Sequence, residues 1–336
     1  MKLNLFFLFI TMLIVSLSCN NDLNLIDEWK EIPVVYGFVS RSDTATYIRV
    51  EKAFLDQNVS PQVIAQSHPD SIYYDPEQIT VKIIKSNNTS FTLNRVDGTL
   101  EGYPRTSGLF VNNPNYLYKI KNDVLNPVIG ETVKLMIIRN SDQSVITEAT
   151  TKIVGDFRSV LGLPNTAIPF GKNQTRFSFE SIPAELNAAI FDLNLYINYT
   201  EYDVASGETV AKTLEWPVQK SVTRGTINDR IDFYLDGPSF YTFLKNNISG
   251  ENKLRYFQSI DYSLISGGNE IRKYIEVGNV AIGITGAEAT PTYSNLSNGY
   301  GIFSSKNVYK QYGYSLTQVT LDSLKHGSVT SSLRFQ

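Results

Sequence analysis

After Glu31, apolar and polar positions alternate with a period of two, the signature of half-buried strands. Residues 32–39 (IPVVYGFV) read as the first strand, with Pro33 near its start, where a missing N–H is tolerated. Residues 46–54 place Ile48, Val50, Lys52 and Phe54 on one face and Tyr47, Arg49 and Glu51 on the other. Further strands are predicted at 79–85, 91–96, 116–120, 133–139 and 145–154. Ser86-Asn87-Asn88, Asp97-Gly98 and Asn140-Ser141-Asp142 supply turn chemistry between them. Short strands joined by polar turns over residues 32–155 predict an antiparallel β-sandwich.

Residues 156–172 hold Pro164 and Pro169 and little periodicity, and are expected to connect to a second β-rich domain at 173–336. Its clearest strand, 191–202, sets Leu193, Leu195, Ile197 and Tyr199 against Asn194, Tyr196, Asn198 and Thr200. Ala205-Ser206-Gly207-Glu208 returns the chain through 210–218, making a long hairpin with Tyr196 and Tyr202 on its outer face. A helix is predicted from Gly237-Pro238 to Gly250, with Phe240, Phe243, Leu244 and Ile248 at helical spacing. Strands are expected at 254–264 and 271–284, and a short helix near 320–325. Asn298, Gly299 and Gly301 are expected to allow positive φ or a close backbone approach before a final strand at Ile302-Phe303. The alternative is a loop that touches a partner. The fold class is therefore mainly β: two antiparallel β-sandwich-like domains with one or two short helices.

The N-terminus has a different rhythm. Lys2 precedes an apolar run at residues 5–15. As a helix that run is about 16 Å long, too short for a bilayer core of about 30 Å but suited to a signal-peptide core. Ser16-Leu17-Ser18-Cys19 follows as a lipobox, with serine where an aliphatic residue is usual. Cys19 is the single cysteine of 336 residues. The expectation is a lipoprotein signal peptide at 1–18, cleavage before Cys19, diacylglycerol on its thiol and an acyl chain such as palmitate on its new N-terminus. Residues 19–31 then form a lipidated tether. Two or three acyl chains anchor firmly, at about 0.8 kcal/mol per buried CH₂.

Composition narrows the chemistry. Apolar residues make up 42 % and charged residues 19 %, enough for a real core. A net charge of −3 without a basic block argues against nucleic acid. Two histidines exclude a multi-histidine metal site, and one cysteine excludes an internal disulfide or a zinc ribbon. No Gly-x-Ser-x-Gly elbow, phosphate-binding glycine loop or EF-hand pattern is present, and no cofactor is implied. A carboxylate-dependent hydrolase needs only two acids across a cleft, and 33 acidic residues leave that open.

Residues 55–76 lack an obvious strand, and a loop this long is often functional. It carries His68, Asp70, Tyr73, Tyr74 and Asp75. Either its tyrosines pack back on the domain, or Tyr73 and Tyr74, with Asp70 and Asp75, form an exposed platform for a sugar or a protein.

Three segments are distinctive: 32–37 with 42–44 and 47–55, then Ala65-Gln66 with 70–74, and finally 293–305. Together with the lipobox they resemble a family of uncharacterised β-rich outer-membrane lipoproteins of Bacteroidota. The resemblance implies an outer-membrane lipoprotein, on the periplasmic or the cell-surface face. It also implies a non-catalytic binding or accessory role beside a barrel such as a TonB-dependent receptor. A surface glycan-binding lipoprotein is the alternative. The same resemblance implies O-glycosylation at Asp-Ser/Thr-aliphatic sites, which here are Thr44, Ser71 and Ser323. Surface export in the phylum is associated with acids after the lipidated cysteine, and Asn20-Asn21-Asp22 offers one.

Overall fold

The computed structural model describes residues 31–53, 69–105, 113–160, 167–171, 174–182, 187–224, 230–249, 252–280 and 293–336. Cys19, the signal peptide, most of the tether, Phe54 and residues 55–68 of the long loop lie outside the described residues.

The chain order is β1 (Ile32–Ser40), β2 (Ala45–Ala53), a 3-10 turn (Pro69–Ile72), β3 (Ile79–Lys85), β4 (Ser90–Thr92), β5 (Asn94–Asp97) and β6 (Tyr116–Lys121). Then come α1 (Asn122–Leu125), β7 (Thr132–Arg139), β8 (Val145–Lys152), β9 (Asp156–Val160), β10 (Ala167–Ile168), β11 (Thr175–Ile182), β12 (Ala188–Asp203) and β13 (Thr209–Thr223). The rest is β14 (Ile231–Leu235), α2 (Gly237–Asn247), β15 (Lys253–Gly268), α3 (Asn269–Val280), β16 (Tyr300–Leu316), α4 (Gln318–His326) and a 3-10 turn (Ser331–Leu333).

The protein is mainly β, and most pairings are antiparallel. A long sheet runs β13-β12-β15-β16-β1-β2-β6-β5, with β10 attached to β16. Two smaller sheets, β4-β3-β7-β8 and β14-β11-β9, stack on it. The first stack closes over Val35, Ile48, Val50, Ile83, Leu135 and Ile137. The second closes over Phe177, Phe179, Phe233, Leu193, Leu195 and Tyr262. Each buried side chain of this size contributes about 1.5–3 kcal/mol, so the cores outweigh any single polar contact.

Residues 156–172, expected as a connection, instead contribute β9 and β10. Phe157, Ile168 and Phe170 are buried in the second core, so the described parts of this stretch belong to the packing. Nor do the two stacks have separate sheets. β1 lies parallel to β16, with Val35 opposite Gly301 and Gly37 opposite Phe303. β16 then pairs with β15 from Lys306 onward.

Alternate residues of β16 follow the inner face from one core to the other. Phe303 sits in the first core. Ser305 Oγ accepts from Val154 N at 2.7 Å, and Asn307 Nδ2 donates to Gly155 O at 2.8 Å. Tyr309 packs against Phe179 at 6.2 Å between ring centroids, in the second core. Both small sheets therefore lie on one face of the long sheet.

The expected final strand at Ile302-Phe303 extends to Leu316. Gly299 and Gly301 have φ of +97° and +117°. A Cβ on either would overlap a β1 carbonyl oxygen, that of Pro33 or Val35. Asn298 donates from Nδ2 to Ile146 O at 3.2 Å. Asn295 replaces a missing strand neighbour: its side-chain amide accepts from Phe303 N at 3.0 Å and donates to Phe303 O at 2.7 Å.

Residues 271–284, expected as a strand, form most of α3 up to Val280. Ile271, Tyr274 and Ile275 recur at i, i+3 and i+4, a helical spacing that β-branched content disguised. The predicted strand 91–96 divides at buried Leu93 into β4 and β5, which belong to different sheets. The Gly237-Pro238 helix forms as α2, capped by Asp236 Oδ1 accepting from Ser239 N at 2.6 Å.

Gly301→Ala is expected to destabilise the protein by at least about 2 kcal/mol in a denaturant melt, through positive φ and backbone overlap. Gly278→Ala, in open space on α3, is expected to be neutral or to stabilise by at most about 1 kcal/mol. Equal midpoints for Gly301→Ala and wild type would contradict the close-approach account.

Candidate binding face

The inner face of β1 and β2 is core, so Tyr36, Phe38, Tyr47, Arg49 and Glu51 point the other way. The register places Tyr36 opposite Arg49 and Phe38 opposite Tyr47. β6 continues the row with Lys119 opposite Tyr47, and β5 with Asn94 opposite Lys119. α3 covers one end of this face, and Tyr274 meets Tyr36 edge-on at 6.5 Å. Burial, then the Tyr274 hydroxyl, pushes the Tyr36 phenol up to about 12.

The other end is built by the turn after β5. Asp97 Oδ1 accepts from Thr99 N at 2.7 Å, and Tyr103 N donates to Gly98 O at 2.7 Å. This turn presents Glu101 and half-exposed Tyr103. Its ring lies 4.7 Å from that of Tyr47, tilted by 52°. Glu101 Oε2 accepts from Lys119 Nζ at 2.5 Å and from the Tyr47 hydroxyl at 2.8 Å. These two bonds hold the Glu101 carboxyl below the usual carboxylate range, and Glu101 raises Lys119 in return. Burial, then Glu101, raises the Tyr47 phenol.

Asn115, with 0 % exposure, is the pivot of this arrangement. Its Nδ2 donates to Tyr103 O at 2.8 Å, while its Oδ1 accepts from Arg49 Nη2 at 2.9 Å. Arg105 and Arg49 share Glu51 Oε1. Burial, then Arg49, pushes the Arg105 guanidinium down to about 10. Two hollows meet at Lys119 and Lys121. One, of about 480 Å³, is lined by Phe91, Asn94, Glu101 and Val124; the other, of about 440 Å³, by Asp43, Thr44, Tyr47 and Asn122.

The expected platform of Tyr73 and Tyr74 is not exposed: their relative exposures are 5 % and 2 %. Tyr73 donates its hydroxyl to Pro114 O at 2.9 Å and packs edge-on against Tyr116 at 5.1 Å. It lies under the face and braces the residue before Asn115. Tyr74 belongs to the first core, where burial raises its phenol. The tyrosines pack back because each ring gains more from burial than from solvent. Asp70 falls in the 3-10 turn, and exposed Asp75 caps the turn into β3 by accepting from Glu77 N at 3.1 Å.

Thr44 is exposed in the β1–β2 turn, which Asn122 Nδ2 ties down at Asp43 O, 2.7 Å away. Ser71 is half-buried. Ser323 is half-buried and donates to Val319 O at 2.8 Å within α4. Among the described residues, no group of three His, Cys, Asp or Glu is placed to hold a metal, and no helix is long and apolar enough to cross a membrane. The polar face of residues 46–54 already carried a signal for Tyr47 and Arg49. Tyr103 and Glu101 had none, because a turn rather than a periodic strand presents them.

No family model matches the chain, and no curated protein matches it. Among solved structures, similarity was found to the chicken interferon gamma receptor alpha chain, at 9 % identity over 71 % of this chain and 89 % of that one, with a TM-score of 0.17. A cytokine receptor complex aligns at 9 % identity over 85 % and 99 %, with a TM-score of 0.23. The chicken CNTN1 FN1–FN3 domains align at 10 % over 82 % and 66 %, with a TM-score of 0.17.

Because the folded pKa of Glu101 lies below its unfolded value, its contribution to stability is complete above the unfolded pKa and is lost as pH falls through the folded one. In Lys119→Met, ¹³C NMR is expected to show the Glu101 carboxyl titrating higher than in the wild type, because its largest stabilising partner is removed. An unchanged titration would contradict the pairing.

Proposed function

We propose that this protein is a lipid-anchored, non-catalytic binding or accessory protein of the outer membrane that partners a barrel or another envelope complex. The observation that carries the reading is the row of tyrosines beside internally paired charges on the face of the long sheet turned away from both cores. Such a row offers rigid amphipathic contact area at low entropic cost. The lipobox at Cys19 and the resemblance of three segments to Bacteroidota lipoproteins support the location.

A tether from Cys19 to Ile32, fully extended, spans at most about 45 Å, which keeps the folded part within reach of a neighbouring barrel. Confinement to the membrane plane raises the effective concentration of the two partners. Among the described residues, the carboxyl groups with displaced titration, those of Glu101, Asp142, Glu180, Asp203 and Asp236, are all displaced downward. That favours ion-pairing and turn-capping over proton donation at neutral pH, and makes the carboxylate-dependent hydrolase the weaker reading.

Affinity capture of the mature lipoprotein from solubilised outer membranes is expected to recover a barrel protein, with recovery reduced several-fold by Tyr36→Ala. Recovery of no barrel and no other envelope partner would contradict the proposal.

A further inference from the structure

We infer that the Tyr47–Tyr103 end of this face is a subsite for a neutral oligosaccharide; the inference rests on reading the face as a binding surface. Tyr103 is half-exposed and is held against Tyr47 at 4.7 Å. An exposed aromatic ring whose backbone is fixed by a buried asparagine is a stacking surface for the apolar face of a sugar ring.

Beside it stand a rigid acceptor and a rigid donor. Glu101 takes both of its side-chain hydrogen bonds on Oε2, so Oε1 is left to accept from a ligand hydroxyl. Lys119 has three ammonium hydrogens, and Glu101 uses one. Two adjacent sugar hydroxyls fit that pair, one donating to Glu101 and its neighbour accepting from Lys119. Exposed Asn94, on the first hollow, adds a side-chain amide that both donates and accepts.

Charge selects the ligand class. Lys119 is paired with Glu101 at 2.5 Å and Asp43 with Lys306 at 3.3 Å, while Lys121 on both hollows and Asp123 on the second are opposite in sign and, with these pairs, leave the lining without a net charge. A charged sugar would have to compete with these existing pairs, whereas an uncharged one adds hydrogen bonds without disturbing them. β1, β2 and β6 spend their backbone groups on the sheet ladder beneath this face, so a peptide strand could add only along the four-residue edge strand β5. Both hollows fall within the usual volume of small-ligand sites, about 300–1,000 Å³, and because they adjoin they suit more than one sugar unit.

The test uses the full mature lipoprotein in a sugar-free detergent, titrated calorimetrically and by NMR with cellohexaose, maltohexaose and mannohexaose. At least one is expected to bind and to shift the Tyr103 ring resonances. Tyr103→Ala is expected to weaken binding about tenfold or more, and Glu101→Gln by a similar factor, while Tyr103→Phe, which keeps the ring, stays within about twofold. The melting profile of each variant separates lost binding from lost folding. Silence of the wild type toward the whole series overturns the inference, as does undiminished binding by Tyr103→Ala. If the wild type is silent yet still captures an envelope partner, the binding-protein reading stands and only the saccharide subsite falls.

Discussion

The parallel pairing of β1 with β16 is the constraint on which the rest of the structure depends. It joins residues about 270 positions apart and turns two stacks into one sheet. Parallel strands need a crossover, and this one contains almost the whole chain. Closing it brings a glycine at 299 and another at 301 so near to β1 that no side chain fits. Once it is closed, Phe303 completes the first core and Tyr309 the second, on a single strand.

The sheet then divides its labour between its faces. The inner face supports both cores. The outer face carries α3 at one end, where Glu270 Oε2 accepts from Ser304 at 2.7 Å, and the tyrosine row at the other. The C-terminal end is clamped independently. Arg255, with 0 % exposure, donates to Glu201 at 2.9 Å and to Leu333 O at 2.7 Å. Removing one partner of such a buried pair costs about 3–5 kcal/mol, because the other charge stays buried. The tyrosine row thus stands on a scaffold held by packing at its centre and by a buried ion pair at its far end, as pre-organised recognition requires.

Most strands were legible in the sequence because period-two alternation records a sheet with one buried face. The hairpin of β12 and β13 follows from that pattern together with its turn at residues 205–208, whereas a non-consecutive pairing such as β3 with β7 does not. What stayed hidden was non-local. Nothing near residue 32 announces a parallel neighbour near residue 302, and the β16 residues Ser304, Ser305 and Asn307 look polar although they are buried at the junction. α3 departs from the strand pattern: Ile271, Ile275 and Val277 favour strands intrinsically, while their position over the sheet rewards a helix. The long loop drew attention to Tyr73 and Tyr74 through its length, yet length cannot say which way a ring points. Tyr47 was readable as an outward position, but its partner Tyr103 is brought to it by the buried contacts of Asn115.

Native-state hydrogen exchange read by mass spectrometry tests the central claim, that one shared sheet makes the two cores a single unit. The account predicts that amides of β7 in the first stack and β12 in the second lose protection in the same opening event as β1 and β16, at the same denaturant concentration. Loss of protection in one stack at a denaturant concentration that leaves the other fully protected would contradict it.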